Sequence, residues 1–166
     1  MARIVANREG ILSKREIDEI DRRILMALQK DAHLTTDKLA EFVGLSQSPC
    51  ARRIRALREA GVIKGYVAVV DQAKVGLPIS VFISIKLERQ REEELDRFQA
   101  AVSKWPEIVE CYLMTGQRDY LLRVVTKDLE SFEMFLKQKL TRLDGVASIE
   151  SSFALGQVKH SAALPL

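Results

Sequence analysis

The apolar residues of this chain change their spacing at Gly61, and that change constrains the fold more than any single motif. Before it, the spacing is helical. Ile17, Ile20, Ile24, Leu25 and Leu28 fall on one face of a helix expected from Lys14 to Asp31. Thr35-Thr36-Asp37 supplies N-cap chemistry for a short second helix, which Gly44 can end. Ser46 is the next N-cap candidate. Pro49 falls in the first turn of a third helix, where its missing N–H costs little, and that helix runs to Ala60. After Gly61 the pattern is that of strands. VIKGYVAVV (62–70) is β-branched and aromatic, so it reads as a strand.

DQAKVGLP (71–78) has the composition of a linker and divides the chain. Beyond it, ISVFISIKL (79–87) reads as a strand and REEELDRFQAAVSKW (91–105) as a helix. Its early acids suit the positive end of the helix dipole. IVECYLMTG and YLLRVVT read as a hairpin turning near Gly116. Asp128 can cap a helix over LESFEMFLKQKLTRL, and GVASIESSFALGQV closes the series as one strand or two. The order βαββαβ, with two consecutive strands at its centre, predicts a ferredoxin-like sheet with both helices on one face. The expected fold class is therefore α+β. An arm (1–13) precedes a helix-turn-helix domain (14–70), the linker (71–78) and a ferredoxin-like domain (79–166).

Charge is unevenly spread. Residues 1–70 carry a net +4 and residues 71–166 a net −1, although the whole chain of 166 residues is only +3. Residues 44–66 hold four arginines and one lysine against a single acid. If Cys50, Ile54 and Leu57 face inward, the third helix presents Gln47, Ser48, Ala51, Arg52, Arg55 and Arg58 outward. Three helices with a tight Gly44-Leu45 turn before the last form a helix-turn-helix pattern, and a following strand suggests a winged one. Such a helix enters the major groove by its N-terminal part. Gln47, Ser48 and Arg52 are then placed at base edges. Thr36 and Ser46 start the two motif helices and join the candidate DNA contacts. Arg55, Arg58 and Lys64 are expected on phosphates, which position without reading sequence. The competing reading is a solvated basic face. The short capped helix, the turn and the charge asymmetry favour DNA. Arg53 flanks the buried face, where Asp21 or Glu41 can pair with it.

The residues IDEIDRRILMALQKDAHLTTDKLAEFVGLSQSPCARRIRALREAGVIKGYVAVVD resemble the helix-turn-helix domain of the leucine-responsive regulatory protein (Lrp/AsnC) family. ECYLMTGQRDYLLRVVTKDLESF is similar to that family's effector-binding domain, and VKHSAALPL to its C-terminal tail. The resemblance covers the chain from about Ile17 onward. It implies a transcription regulator that binds double-stranded DNA as a homodimer. It implies domains paired through their sheets, assembly to octamers or similar rings, and an amino-acid effector bound between subunits near the hairpin.

The hairpin residues carry a chemistry that suits such an effector. Gly116 allows a tight turn and close approach to backbone N–H groups. Amides around Thr115, Gly116 and Gln117 can meet a carboxylate, Asp119 can accept from an ammonium, and Leu113 and Met114 offer apolar surface. The same residues also suit an ordinary hairpin turn, with Asp119 satisfied by nearby backbone N–H groups. The resemblance adds Leu129, Phe153, Ala154 and Leu155, partly from a neighbouring subunit. Arg118 stands where the family often has an apolar residue. A cation there favours an acidic or polar effector, or narrows the pocket.

Other functions find little support. His33 and His160 have no ligand partners at metal spacing, and no catalytic constellation or nucleotide-binding loop stands out, so no metal, cofactor or enzymatic activity is expected. Cys50 and Cys111 read as buried thiols. No apolar run is long enough to cross a membrane, and the N-terminus lacks a signal-peptide core, so a cytoplasmic protein is expected. The remaining rival is a ligand-independent DNA-architectural, nucleoid-organising protein.

Overall fold

The computed structural model describes residues 16–166, so the arm expected over 1–13 lies outside the described residues. The chain forms two compact units. The first runs to Ala68 and includes Lys159–Leu166; the second is Val69–Val158. The tail, assigned by sequence to the second domain, thus packs with the first unit. Its Leu164 N–H donates to Gln29 Oε1 at 2.6 Å, and Gln29 Nε2 donates to the Leu164 carbonyl at 3.2 Å.

The first unit holds α1 (Glu19–Lys30), α2 (Thr36–Val43) and α3 (Gln47–Glu59). Each begins where a polar residue leaves the extended region. Asp18 caps α1 by accepting from the Asp21 N–H, and Thr35 caps α2 by accepting from Lys38. Gly44 ends α2 in the left-handed conformation, φ 74°, which a Cβ would oppose. That turn lets α3 start three residues later. Ile24, Leu25, Leu39, Val43, Cys50 and Leu57 form the common core, with Ile54 packed against it. Burying a side chain of this size contributes about 1.5–3 kcal/mol. Cys50 is fully buried as expected, and burial pushes its thiol pKa up; Cys111 is exposed.

The strand expected over 62–70 does not form among the described residues. Val67, Val69 and Val70 are exposed there and join no sheet. β-branched composition supplies a propensity, but a strand needs a partner for its ladder.

The second unit is the sheet. Its elements are β1 (Ile79–Leu87), α4 (Glu92–Val102), β2 (Ile108–Leu113), β3 (Tyr120–Thr126), α5 (Leu129–Gln138) and β4 (Val146–Phe153). The strand order is β2-β3-β1-β4 with every neighbour antiparallel. This is the ferredoxin-like arrangement. Alternation sorts each strand into two faces. Val81, Ile83, Ile85, Tyr120, Leu122 and Val124 pack with Phe98, Val102, Phe132 and Phe135 of the helices. Tyr120 stacks on Phe98 with ring centroids 4.4 Å apart. Phe82, Ser84, Lys86, Leu121 and Arg123 alternate onto the other face. Asp128 caps α5 by accepting from the Ser131 N–H at 2.7 Å. α5 stops at Gln138, short of the expected end at Leu143, and a 3₁₀ turn (Leu140–Arg142) follows. Among the described residues no helix is long and apolar enough to cross a membrane.

Candidate DNA-reading helix and effector pocket

α3 presents the surface its sequence predicts. Gln47, Ser48, Arg52, Arg55 and Arg58 are exposed, Ala51 is half-buried, and Cys50 and Leu57 are buried beneath them. The helix spans roughly 20 Å, and a B-DNA major groove of about 12 Å admits it. Ser46 occupies the N-cap position, but its side chain makes no capping hydrogen bond. Its hydroxyl and the amides of the first turn stay available to a phosphate. Thr36 is half-buried at the start of α2. Among the described residues, Arg52, Arg55 and Lys64 take no hydrogen bond or ion pair.

Two arginines are occupied. Arg53 Nη1 lies 2.7 Å from Asp18 Oδ2 and 3.0 Å from Asp21 Oδ1, so α3 is tied to α1. Glu41 is not its partner. These carboxylates push the guanidinium pKa up. Asp21 is fully buried, which makes this cation structural rather than a DNA contact. Arg58 lies over the Tyr66 ring, 5.2 Å from its centroid, and its Nη2 donates to the Tyr66 hydroxyl at 3.3 Å. The tyrosine steers the Arg58 head without neutralising it.

The hairpin turn between β2 and β3 borders an open depression of about 280 Å³. Ser84, Met114, Thr115, Gln117, Arg118, Tyr120 and Leu121 line it. Gly116 makes the turn possible at φ 108°. Arg118 reaches across the sheet: its Nη1 donates to Ser148 Oγ at 2.7 Å and its Nη2 meets Glu150 Oε2 at 2.5 Å.

Asp119 does not join this lining. Only 5% exposed, its carboxylate accepts from the Leu87 N–H at 2.7 Å and from Gln90 Nε2 at 2.6 Å. Lys86 Nζ stands 3.6 Å away. The carboxylate is thus already hydrogen-bonded within its own unit. It ties the turn to the end of β1, through partners distant in sequence rather than the local backbone N–H groups of an ordinary turn. Leu113, exposed on β2, is also outside the lining.

Leu129, Phe153, Ala154 and Leu155 lie elsewhere. Phe153 pairs with Val81, and the Ala154 N–H donates to the Ser80 carbonyl, whereas the hairpin meets β1 at Ile85. Val81 and Ile85 are about 13 Å apart along a strand. Leu129 opens α5, whose Phe132 ring meets Phe153 edge-on at 5.2 Å. One chain therefore does not bring the two groups together. Sequence reasoning missed Ser84, Ser148 and Glu150. Its one signal was polar alternation in SIESS, which marks a solvent-facing side of β4.

Comparison with known proteins agrees with both halves. Residues 17–64 match the winged helix-turn-helix DNA-binding family model, and residues 80–164 match the Lrp/AsnC ligand binding domain. The chain belongs to the Lrp/AsnC family. It is a DNA-binding transcriptional regulator of that type. It is 44% identical over 151 residues to the Bkd operon transcriptional regulator of Pseudomonas aeruginosa, covering 91% of this chain and 99% of that one. It is 38% identical over 146 residues to a leucine-responsive regulatory protein of Rhizobium meliloti, covering 88% and 94%. A transcriptional regulator of Neisseria meningitidis solved as a complex with L-Met superposes with a TM-score of 0.85 at 37% identity, over 90% of this chain and 97% of that one. In this Lrp/AsnC chain the helix-turn-helix match lies in the first unit, and the ligand-binding match covers most of the second unit and runs on into the tail that packs with the first.

Proposed function

We propose that an amino acid bound at the hairpin depression controls how this regulator holds DNA. The observation that carries the reading is the depression itself, built on the Thr115–Gln117 turn and Arg118. Its volume sits at the low end for ligand pockets, which suits a ligand of amino-acid size. Met114 and Leu121 supply apolar surface, while Ser84, Thr115, Gln117 and Arg118 supply polar groups. The L-Met in the Neisseria regulator supports the ligand class.

Leu129 and Phe153–Leu155 lie at the far end of their own sheet, so they complete the pocket only from a second copy. A homodimer paired through its sheets, assembling further to an octamer, supplies that copy. The effector then favours one arrangement of subunits and shifts its population. On DNA, Gln47, Ser48 and Arg52 meet base edges. Thr36, Ser46, Arg55, Arg58 and Lys64 meet phosphates. Several heads on one assembly bind phased sites by avidity.

The test is fluorescence anisotropy on DNA from upstream of the protein's own gene, repeated with each common amino acid. One amino acid should shift affinity or cooperativity. DNA binding that no amino acid changes would refute effector control and favour the architectural role.

A further inference from the structure

Arg118 and Glu150 come from distant parts of the chain, and only the sheet joins them. Glu150 stands opposite Ser84 in the β1–β4 register, and Ser84 lines the depression. Arg118 is the charged side chain in that lining, and Glu150 is the anion on its guanidinium. Their side chains are 38% and 62% exposed, so the pair is solvated and opens at little cost. The other acid near the turn, Asp119, is already held by Leu87, Gln90 and Lys86. Among the described residues of one chain, Glu150 thus offers an exposed carboxylate to a ligand ammonium, and Arg118 a guanidinium to a ligand carboxylate.

We propose that this pair reads a zwitterion by partner exchange. The inference rests on the effector reading above and names the groups that carry it out. The ligand carboxylate takes the place of Glu150 on Arg118, with Ser148 Oγ beside it. The freed Glu150 carboxylate accepts from the ligand ammonium. One internal ion pair becomes two intermolecular ones, and the site's net charge does not change. A ligand with only one of the two charges gains one of these pairs where an amino acid gains two, and binds more weakly. The site thus selects α-amino acids over their keto acids and over the corresponding amines.

The experiment is calorimetric titration of the full-length protein. The probes are the twenty common L-amino acids. For the tightest binder they include its α-keto acid and the amine lacking the carboxylate. The wild type should bind the amino acid and hold both analogues at least tenfold more weakly. Arg118→Gln should lose on the order of tenfold or more for the amino acid and cease to prefer it over the amine. Glu150→Gln should do the same and cease to prefer it over the keto acid. A purely structural role would weaken all probes alike and leave those preferences intact, which would overturn the exchange. So would wild-type affinity in both variants, although an amino acid that still binds would leave the effector reading standing. Failure of the wild type to bind any amino acid would overturn both. Thermal unfolding of each variant separates lost recognition from a lost fold.

Discussion

Replacing Asp119 with alanine removes three contacts of unequal value. The Leu87 N–H, at the buried end of β1, loses its 2.7 Å acceptor. The backbone ladder cannot replace it, because β1–β3 pairing ends at Ile85 and Tyr120. An unpaired buried donor costs about 1–3 kcal/mol, and a hydrogen bond to a charged acceptor is at the upper end of that range. Gln90 is exposed, so its amide recovers water at little net cost. The Lys86 contact at 3.6 Å contributes roughly 0–1 kcal/mol. The expected loss is about 3 kcal/mol for the second unit, or roughly 15 °C in its melting temperature for a domain of this size. Asp119→Asn keeps one oxygen for the Leu87 N–H and should lose about half as much. Urea denaturation followed by circular dichroism gives the free energy, and amide hydrogen exchange reports on Leu87 directly. A loss below about 0.5 kcal/mol, or unchanged protection at Leu87, would refute this account.

On DNA, Arg52→Ala should reduce discrimination between sites, while Arg58→Ala weakens all DNA binding and lowers the salt slope by about one. Equal losses on specific and non-specific DNA for both variants would remove that division of labour. Arg53→Met should destabilise the first unit by about 2 kcal/mol, because the bonds to Asp18 and Asp21 that tie α3 to α1 are lost. Unfolding of the unit measures this, and an unchanged midpoint would place α3's anchorage elsewhere. The Asp128 carboxyl is held below its ordinary pKa by the Ser131 hydrogen bonds. Its cap therefore stabilises α5 fully above the unfolded aspartate value and loses that effect as pH falls through the lowered folded value. Asp128→Ala should flatten this part of the acid dependence of the second unit's unfolding midpoint, and an identical pH profile would contradict the assignment.

Local physics made much of the first unit legible in the sequence. Asp18, Thr35 and Gly44 act within a few residues of themselves, so helix ends and the turn into α3 follow from neighbours alone. The period of apolar residues marked which side of α3 is buried, and so which arginines stay outside. The βαββαβ order fixed the sheet, since a central hairpin between two crossover helices admits few packings. The sequence could not show that Asp119 is held at a strand end, because it meets Leu87 and Gln90 some thirty residues away. Nor could it pair Arg118 with Glu150, or separate Phe153 from the hairpin by about half the length of β1. Those facts depend on register: which residue of β1 faces which residue of β3 and β4 is decided only when the sheet closes over its core. The strand expected over 62–70 failed for the complementary reason. Its residues carry the propensity, but a ladder also needs a neighbour, and among the described residues this segment has none.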